Sequence, residues 1–331
     1  MIPLRDVRRQ IQSVRKIGHI TRAMKTVSAI RLLKVQSTVT QQRPYALKLR
    51  EIVTDLVART ATSAHPLLQA ARANDEVRMS NDESQIVNRQ SSLSPVVCLV
   101  LGSDRGLCGP FNNNLMAASL KFQNERPGRE VQTVAFGKKL IDLMQSHHRP
   151  MNPKLPGFFQ TSSYLHSHSV ILRPVSWRLP GSFQGMTYDT VAALARDYLE
   201  QYLAGRIGEL WAVYTEFRST ARQRVKAEQI LPIGRGGIPA EPLFPEYAYE
   251  PTPFEVLDRL LPQYYLREVW RIFLESTASE HMARMLAMDM ATVNAGEMIE
   301  GLTLVLNKAR QELITRELSE ISTSAEALRA S

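Results

Sequence analysis

Gln263–Ser331, QYYLREVWRIFLESTASEHMARMLAMDMATVNAGEMIEGLTLVLNKARQELITRELSEISTSAEALRAS, holds no proline and only two glycines, Gly296 and Gly301. Almost nothing in it opposes helix. Its apolar residues recur at steps of three and four, through Val269, Ile272, Phe273, Met282, Met285, Leu286, Met290 and Val293. The run continues through Ile299, Leu302, Leu306, Ala309, Leu313, Leu318, Ile321, Ala325 and Leu328. That spacing places an apolar stripe along one helix and charge on the rest of its surface. Upstream, Thr252 is a candidate cap, Pro253 suits the first helical position, and Glu255 stands where a capping box needs it. At 1.5 Å per residue the proline-free part alone is roughly 100 Å long. A stripe of that length needs a partner outside an ordinary globular core.

A second long helix is predicted over residues 3–59, opened by Pro3. Its large apolar residues run Leu4, Val7, Ile11, Val14, Ile17, Ile20, Met24, Val27, Ile30 and Leu33. Steps of three dominate, so the seam is expected to slip register and form an irregular coiled coil. Pro44 is expected to kink this helix or to mark a one-turn fault. The chain therefore divides into an N-terminal helix (1–60), a polar insertion (61–94), a central α/β domain (95–232), a Pro/Gly-rich crossing (233–251) and a C-terminal helix (252–331).

Within the central domain, the continuous apolar run Pro95–Gly102 predicts a strand buried on both faces. Ser103–Gly109 is a turn and Phe111–Gln123 a helix. Val131–Phe136 is a second strand and Lys138–Gln145 a second helix. Thr187–Ala204 is amphipathic, and Glu209–Phe217 with Val225–Leu231 reads as an antiparallel pair. Residues 149–186 carry no assignable pattern beyond a short strand candidate at Ser169–Leu172.

The formal net charge is +9 on 331 residues. Residues 1–50 hold twelve Lys/Arg against Asp6, and 263–331 hold seven against ten Asp/Glu, so the ends attract if they lie side by side. No run is long and apolar enough for a membrane span. Cys98 and Cys108 supply neither a disulfide framework nor a metal set.

Candidate chemistry is sparse. The turn holding Asp104, Arg105, Gly106, Cys108 and Gly109 follows a buried strand, yet shows neither Gly-x-Gly-x-x-Gly nor Gly-Lys-Ser/Thr. It reads as a tight turn needing Gly106 and Gly109 for backbone reasons, not as a nucleotide cradle. Cys108 beside Arg105 is a weak candidate for a lowered-pKa thiol. His147, His148, His166 and His168 fall in a loop region and lack a Cys or acid to complete a zinc set. Methionines 282, 285, 288, 290 and 298 are read as core in preference to a plastic binding face. No catalytic centre, cofactor or metal is expected. The basic helix 3–50 offers an alternative function, nucleic-acid binding, although no aromatic residue precedes Tyr45 to stack a base. A third reading, an α/β enzyme with helical arms, requires a small ligand near Ser103–Gly109.

Ile20-Thr21-Arg22-Ala23-Met24-Lys25 and Arg43-Pro44-Tyr45-Ala46 resemble N-terminal markers of the gamma subunit of F-type ATP synthase. Ser103–Gly109 resembles that family's central turn. Ala278-Ser279-Glu280-His281-Met282-Ala283-Arg284-Met285, Asn294–Met298, Asn307–Gln311 and Ile314–Leu318 resemble its C-terminal helix. The resemblance implies an antiparallel coiled coil of the terminal helices plus a central Rossmann-like α/β domain. It implies a non-catalytic, peripheral rotor on the cytoplasmic face of the bacterial inner membrane. Its partners would be a ring of alpha and beta subunits, an epsilon subunit and a c-ring, with nucleotide on beta alone. By position, Arg310, Gln311 and Thr315 are the expected polar contacts to beta loops. Arg22, Met24 and Arg284 are expected where the shaft passes the moving part of beta. Gly109-Pro110-Phe111-Asn112 and Ser28-Ala29-Ile30-Arg31 depart from the family's usual Gly-Gly-Leu-Asn and Ala-Ala-Ser-Lys, marking a divergent member. No chloroplast-type redox pair is present.

Overall fold

Val96–Leu101 (β1) is six apolar residues, all buried, because helices cover both faces of the sheet it centres. The computed structural model describes residues 4–59, 65–68, 94–148, 187–219, 222–233 and 249–330. The elements, in chain order, are α1 (Leu4–Arg59), β1, α2 (Phe111–Asn124), β2 (Val131–Phe136), α3 (Lys138–His148), α4 (Tyr188–Leu203), β3 (Glu209–Ser219), β4 (Arg222–Leu231) and α5 (Pro253–Ala330). The fold is mixed α/β with long terminal helices. Two units emerge: Met1–Arg31 with Ala283–Ser331, and Leu32–Met282.

In the larger unit the sheet order is β2-β1-β3-β4. β1 lies parallel to β2 and β3, with Val96 opposite Val131 on one side and Glu209 on the other. β3 and β4 form the expected antiparallel pair. The core joins Leu49, Val53 and Leu56 of α1 to the sheet, α4 and the first part of α5. Phe136 meets Phe273 edge-on at 5.4 Å. Tyr265, almost wholly buried, donates to Ala195 O at 3.0 Å, so its hydroxyl is satisfied inside the core.

The smaller unit is a two-helix coil. Thr21 Oγ1 lies 2.7 Å from Thr292 Oγ1, Lys25 Nζ lies 2.6 Å from Asp289 Oδ1, and a Cβ on Gly18 would stand 3.6 Å from Ala295 Cβ. Each step up α1 is a step down α5, so the pairing is antiparallel. Val7, Ile11, Val14, Gly18, Thr21, Lys25 and Ser28 of α1 form a regular alternation of fours and threes through the covered face, with Leu4, Met24 and Ala29 also partly covered beside it. On α5 the facing alternation is Met288, Thr292, Ala295, Ile299, Leu302, Leu306 and Ala309, with Met285, Asp289, Ala291 and Thr303 partly covered beside it.

This overturns the expected register slip. The heptad is regular, but small and polar residues occupy much of it, so apolar bulk alone misplaces the seam. Ile17, Ile20, Val27 and Ile30, taken from sequence as seam residues, are exposed, and so are Met290 and Val293 on α5. α1 runs on through Pro44 and α5 through Pro262. The Thr252 cap is present, since its Oγ1 accepts from Glu255 N at 3.3 Å and its carbonyl from Val256 N at 3.1 Å. His147 and His148 close α3 instead of lying in a loop. His166, His168 and the Ser169–Leu172 strand candidate lie outside the described residues.

Candidate functional site

The Ser103–Gly109 turn is held closed by its own side chains. Asn112, in the first turn of α2, donates from Nδ2 to Ser103 Oγ at 2.8 Å and accepts from Ser103 N at 3.0 Å. Ser103 Oγ donates to Arg105 O at 2.9 Å. Asp104 Oδ1 accepts from Lys138 N at 3.2 Å, so a carboxylate stands where α3 presents its first amides. An anion approaching that helix end meets negative charge, and phosphate cradling is disfavoured by construction.

The glycine expectation is half right. Gly109 has φ 58°, but the other left-handed residue of the turn is Leu107 at φ 62°, and a Cβ on Gly106 would meet nothing within 4 Å. Close packing instead constrains Gly137. It has φ 94°, and a Cβ there would lie 2.6 Å from the Gly102 carbonyl carbon. Cys108 is buried, with Sγ 3.9 Å from the Arg105 carbonyl and 3.7 Å from Asn112 Nδ2. The contact is to Arg105's backbone. Burial pushes the Cys98 thiol up to about 12, which leaves it unreactive as a nucleophile. Among the described residues no group of three or more His, Cys, Asp or Glu is arranged to hold a metal.

The predicted shaft residues separate by exposure. Arg310, Gln311 and Thr315 are exposed, as is every side chain from Arg310 to Ser324. Thr315 Oγ1 returns a bond to Gln311 O at 2.9 Å, holding its own turn while the side chain faces outward. Arg22 is exposed and Met24 half-buried, whereas Arg284 is 5% exposed.

A constellation missed by sequence reasoning lies in the larger unit. Arg271 bonds Glu268 at 2.8 Å and Glu275 at 2.8 Å on its own helix, then Glu228 of β4 at 3.2 Å and the Tyr214 hydroxyl of β3 at 3.3 Å. It borders a cleft of about 1040 Å³ between α1, β4 and α5, with Arg43, Arg50, Lys226 and Tyr264 on the walls. Burial opposes the Arg271 charge, but its three carboxylates outweigh that and hold it firmly protonated. Burial raises Glu228, yet Arg271, Tyr214 and Lys226 together bring it below the usual range. Burial raises Glu275 above the usual range despite Arg271, and its Oε2 is buried without a partner. The spacing Glu268, Arg271, Glu275 is visible in sequence as helix-surface pairs. Tyr214 and Glu228 arrive only through the fold.

An antiparallel two-helix coil and a four-stranded α/β body define a class of mixed α/β proteins with long helical arms. A family model described as ATP synthase matches residues 3–328. The ATP synthase gamma chain of Chlorobium phaeobacteroides (strain BS1) is 35% identical over 335 residues, covering 99% of each chain. That of Anaeromyxobacter dehalogenans (strain 2CP-C) is 36% identical over 333 residues, covering 99% of this chain and 100% of its own. In fold, the chain is similar to one from the Euglena gracilis mitochondrial ATP synthase, OSCP/F1/c-ring, rotational state 3. There the TM-score is 0.57 at 18% identity, with 99% of this chain and 95% of that chain covered. The chain belongs to the ATP synthase gamma-chain family, and its function is that of a rotor subunit of an F-type ATP synthase.

Proposed function

We propose that this chain turns inside a ring of alpha and beta subunits as a shaft without a catalytic site of its own, coupling ion flow to ATP synthesis or hydrolysis on beta. The observation that carries the reading is the inversion in the coil. Gly18, Thr21, Ser28 and Ala295 fill the seam, while Ile17, Ile20, Val27, Ile30, Met290, Val293 and Met298 stay exposed around it. Large apolar side chains left outside a closed seam mark a surface built to be covered by other protein. A surface that differs around its circumference biases each facing site differently as it turns.

In this reading Arg310, Gln311 and Thr315 meet beta loops, and Arg22 and Met24 face the moving part of beta. Arg284 acts from a buried position, shaping the coil beside that contact. An epsilon subunit and a c-ring engage the α/β body, on the cytoplasmic face of a bacterial inner membrane. No helix among the described residues is long and apolar enough to cross a membrane, which fits a peripheral attachment. The test is ATPase turnover of the matching alpha and beta subunits assembled with and without this chain. Sustained turnover that depends on the chain supports the reading; assembly and turnover indifferent to it would overturn it.

A further inference from the structure

The cleft between α1, β4 and α5 holds more positive charge than its own carboxylates neutralise. Its walls carry Arg43, Arg50, Lys226, Arg267 and Arg271 against Glu216, Glu228, Glu268 and Glu275, all within the unit Leu32–Met282. The acids are engaged. Arg271 takes Glu228, Glu268 and Glu275, Lys226 Nζ lies 3.1 Å from Glu228 Oε2, and Glu216 has a partner too. Arg267 lies over the rings of Tyr45 and Tyr188, at 5.0 and 4.6 Å. Arg43 and Arg50 are left over, since neither forms an ion pair or a hydrogen bond among the described residues. Val39, Arg43, Ala46 and Arg50 step along α1 by four, three and four, so they share one helix face, and all four line the cleft. The two arginines stand two turns apart, about 10 Å along the axis. Ala46 between them, with Leu47, Ile230 and Leu274, supplies apolar wall.

We propose that this cleft binds a small amphipathic organic anion, a carboxylate or phosphate on an aromatic or aliphatic body. Arg43 and Arg50 hold the charged end, and the body lies against Ala46 and the apolar wall. The volume, about 1040 Å³, stands at the upper end of small-molecule sites, and three elements enclose it. The charge balance selects the sign of the ligand. A cation would meet carboxylates already taken up by Arg271 and Lys226, and two uncompensated guanidiniums beside them. An anion gains charge-assisted bonds from both arginines. A guanidinium is also weakly hydrated, so it gives up water to a ligand more readily than an ammonium does. Contact with the apolar wall then favours a body that leaves water over a bare inorganic ion. The site belongs to the α/β body alone, and it stands whether or not the rotor reading does.

The experiment titrates the full chain calorimetrically with naphthoate, with its uncharged analogue naphthamide, and with inorganic phosphate. Salt is kept at about 0.15 M so that loose association with exposed charge is screened. Expected is saturable binding of one naphthoate per chain, weakened about tenfold or more in Arg43→Gln/Arg50→Gln, the factor for one charge-assisted hydrogen bond. Both arginines are exposed, so the double variant should keep its fold, which thermal melting checks. Ala46→Phe keeps both charges and fills the space between them, so it should also weaken binding about tenfold or more. Naphthamide and phosphate should each bind at least about tenfold more weakly than naphthoate, because each lacks half of what the cleft reads. Failure of naphthoate to saturate overturns the proposal, as does unchanged affinity in either folded variant. Equal binding of naphthamide would show that the charge is not read, and equal binding of phosphate that the apolar wall is not; either result overturns the assigned ligand class.

Discussion

Lys25 Nζ lies 2.6 Å from Asp289 Oδ1, joining α1 to α5 at a seam position that sequence reasoning assigned to no one. The two side chains are 42% and 47% exposed, so water and salt screen them. Next to them, Thr21 and Thr292 share a 2.7 Å hydrogen bond. The pair therefore fixes register more than it adds stability.

Asp289→Asn is expected to cost no more than about 1 kcal/mol, as for other exposed ion pairs. Thermal unfolding at low salt and near 1 M salt checks this. The difference from wild type should vanish at high salt, since the Debye length there is only about 3 Å.

Gly18 separates two readings of the coil. A Cβ at Gly18 has room at 3.6 Å from Ala295 Cβ, so Gly18→Ala should stabilise by up to about 1 kcal/mol through helix propensity. Gly18→Leu should push the helices apart and lower the melting temperature. Equal behaviour of the two variants would deny the close approach.

Gly137 and Gly128 both have positive φ, at 94° and 82°. A Cβ at Gly128 meets nothing within 4 Å, whereas one at Gly137 lies 2.6 Å from backbone. Gly128→Ala should cost about 1–2 kcal/mol for left-handed backbone alone. Gly137→Ala should cost several times more and impair folding. Chemical denaturation of the two variants gives the comparison.

The carboxylates around Arg271 predict opposite pH effects. Glu228 is lowered in the folded state, so its contribution is present above the unfolded carboxylate range and is lost as pH falls through its folded pKa. Glu275 is raised, so the folded state binds its proton more readily. Its burial costs stability at neutral pH, and that cost is relieved as pH falls through its folded pKa. Glu228→Gln should destabilise by about 1–3 kcal/mol at pH 7. Glu275→Gln should be near neutral or stabilising there, with Arg271 still held by two carboxylates. Melting curves from pH 7 down to the carboxylate range should show the two differences from wild type moving in opposite directions.

Gln311→Ala/Thr315→Ala tests the proposed beta contacts. Both positions are exposed, so the isolated chain should melt within about 0.5 kcal/mol of wild type. Turnover or coupling of the assembled complex should fall. Unchanged turnover would remove the pair from the contact surface.

The sequence by itself determined the elements and most of their order. Helices 4–59 and 253–330, the buried strand 96–101 and the β3–β4 pair follow from periodicities of a few residues, which local sterics and capping enforce. The Ser103–Gly109 turn is equally local, and Asn112 and Asp104 hold it through bonds to Ser103 N and Lys138 N. Only the tertiary structure decided which stripe of each helix is the seam. Gly18, Thr21 and Ser28 lie inside because backbones that approach closely need small residues, and hydrophobicity does not rank those as core. Only the fold, likewise, put the left-handed strain on Leu107 instead of Gly106. It also brought Tyr214 and Glu228 to Arg271 across 57 and 43 residues of chain, because contacts at that separation depend on how sheet and helix pack and not on any local pattern.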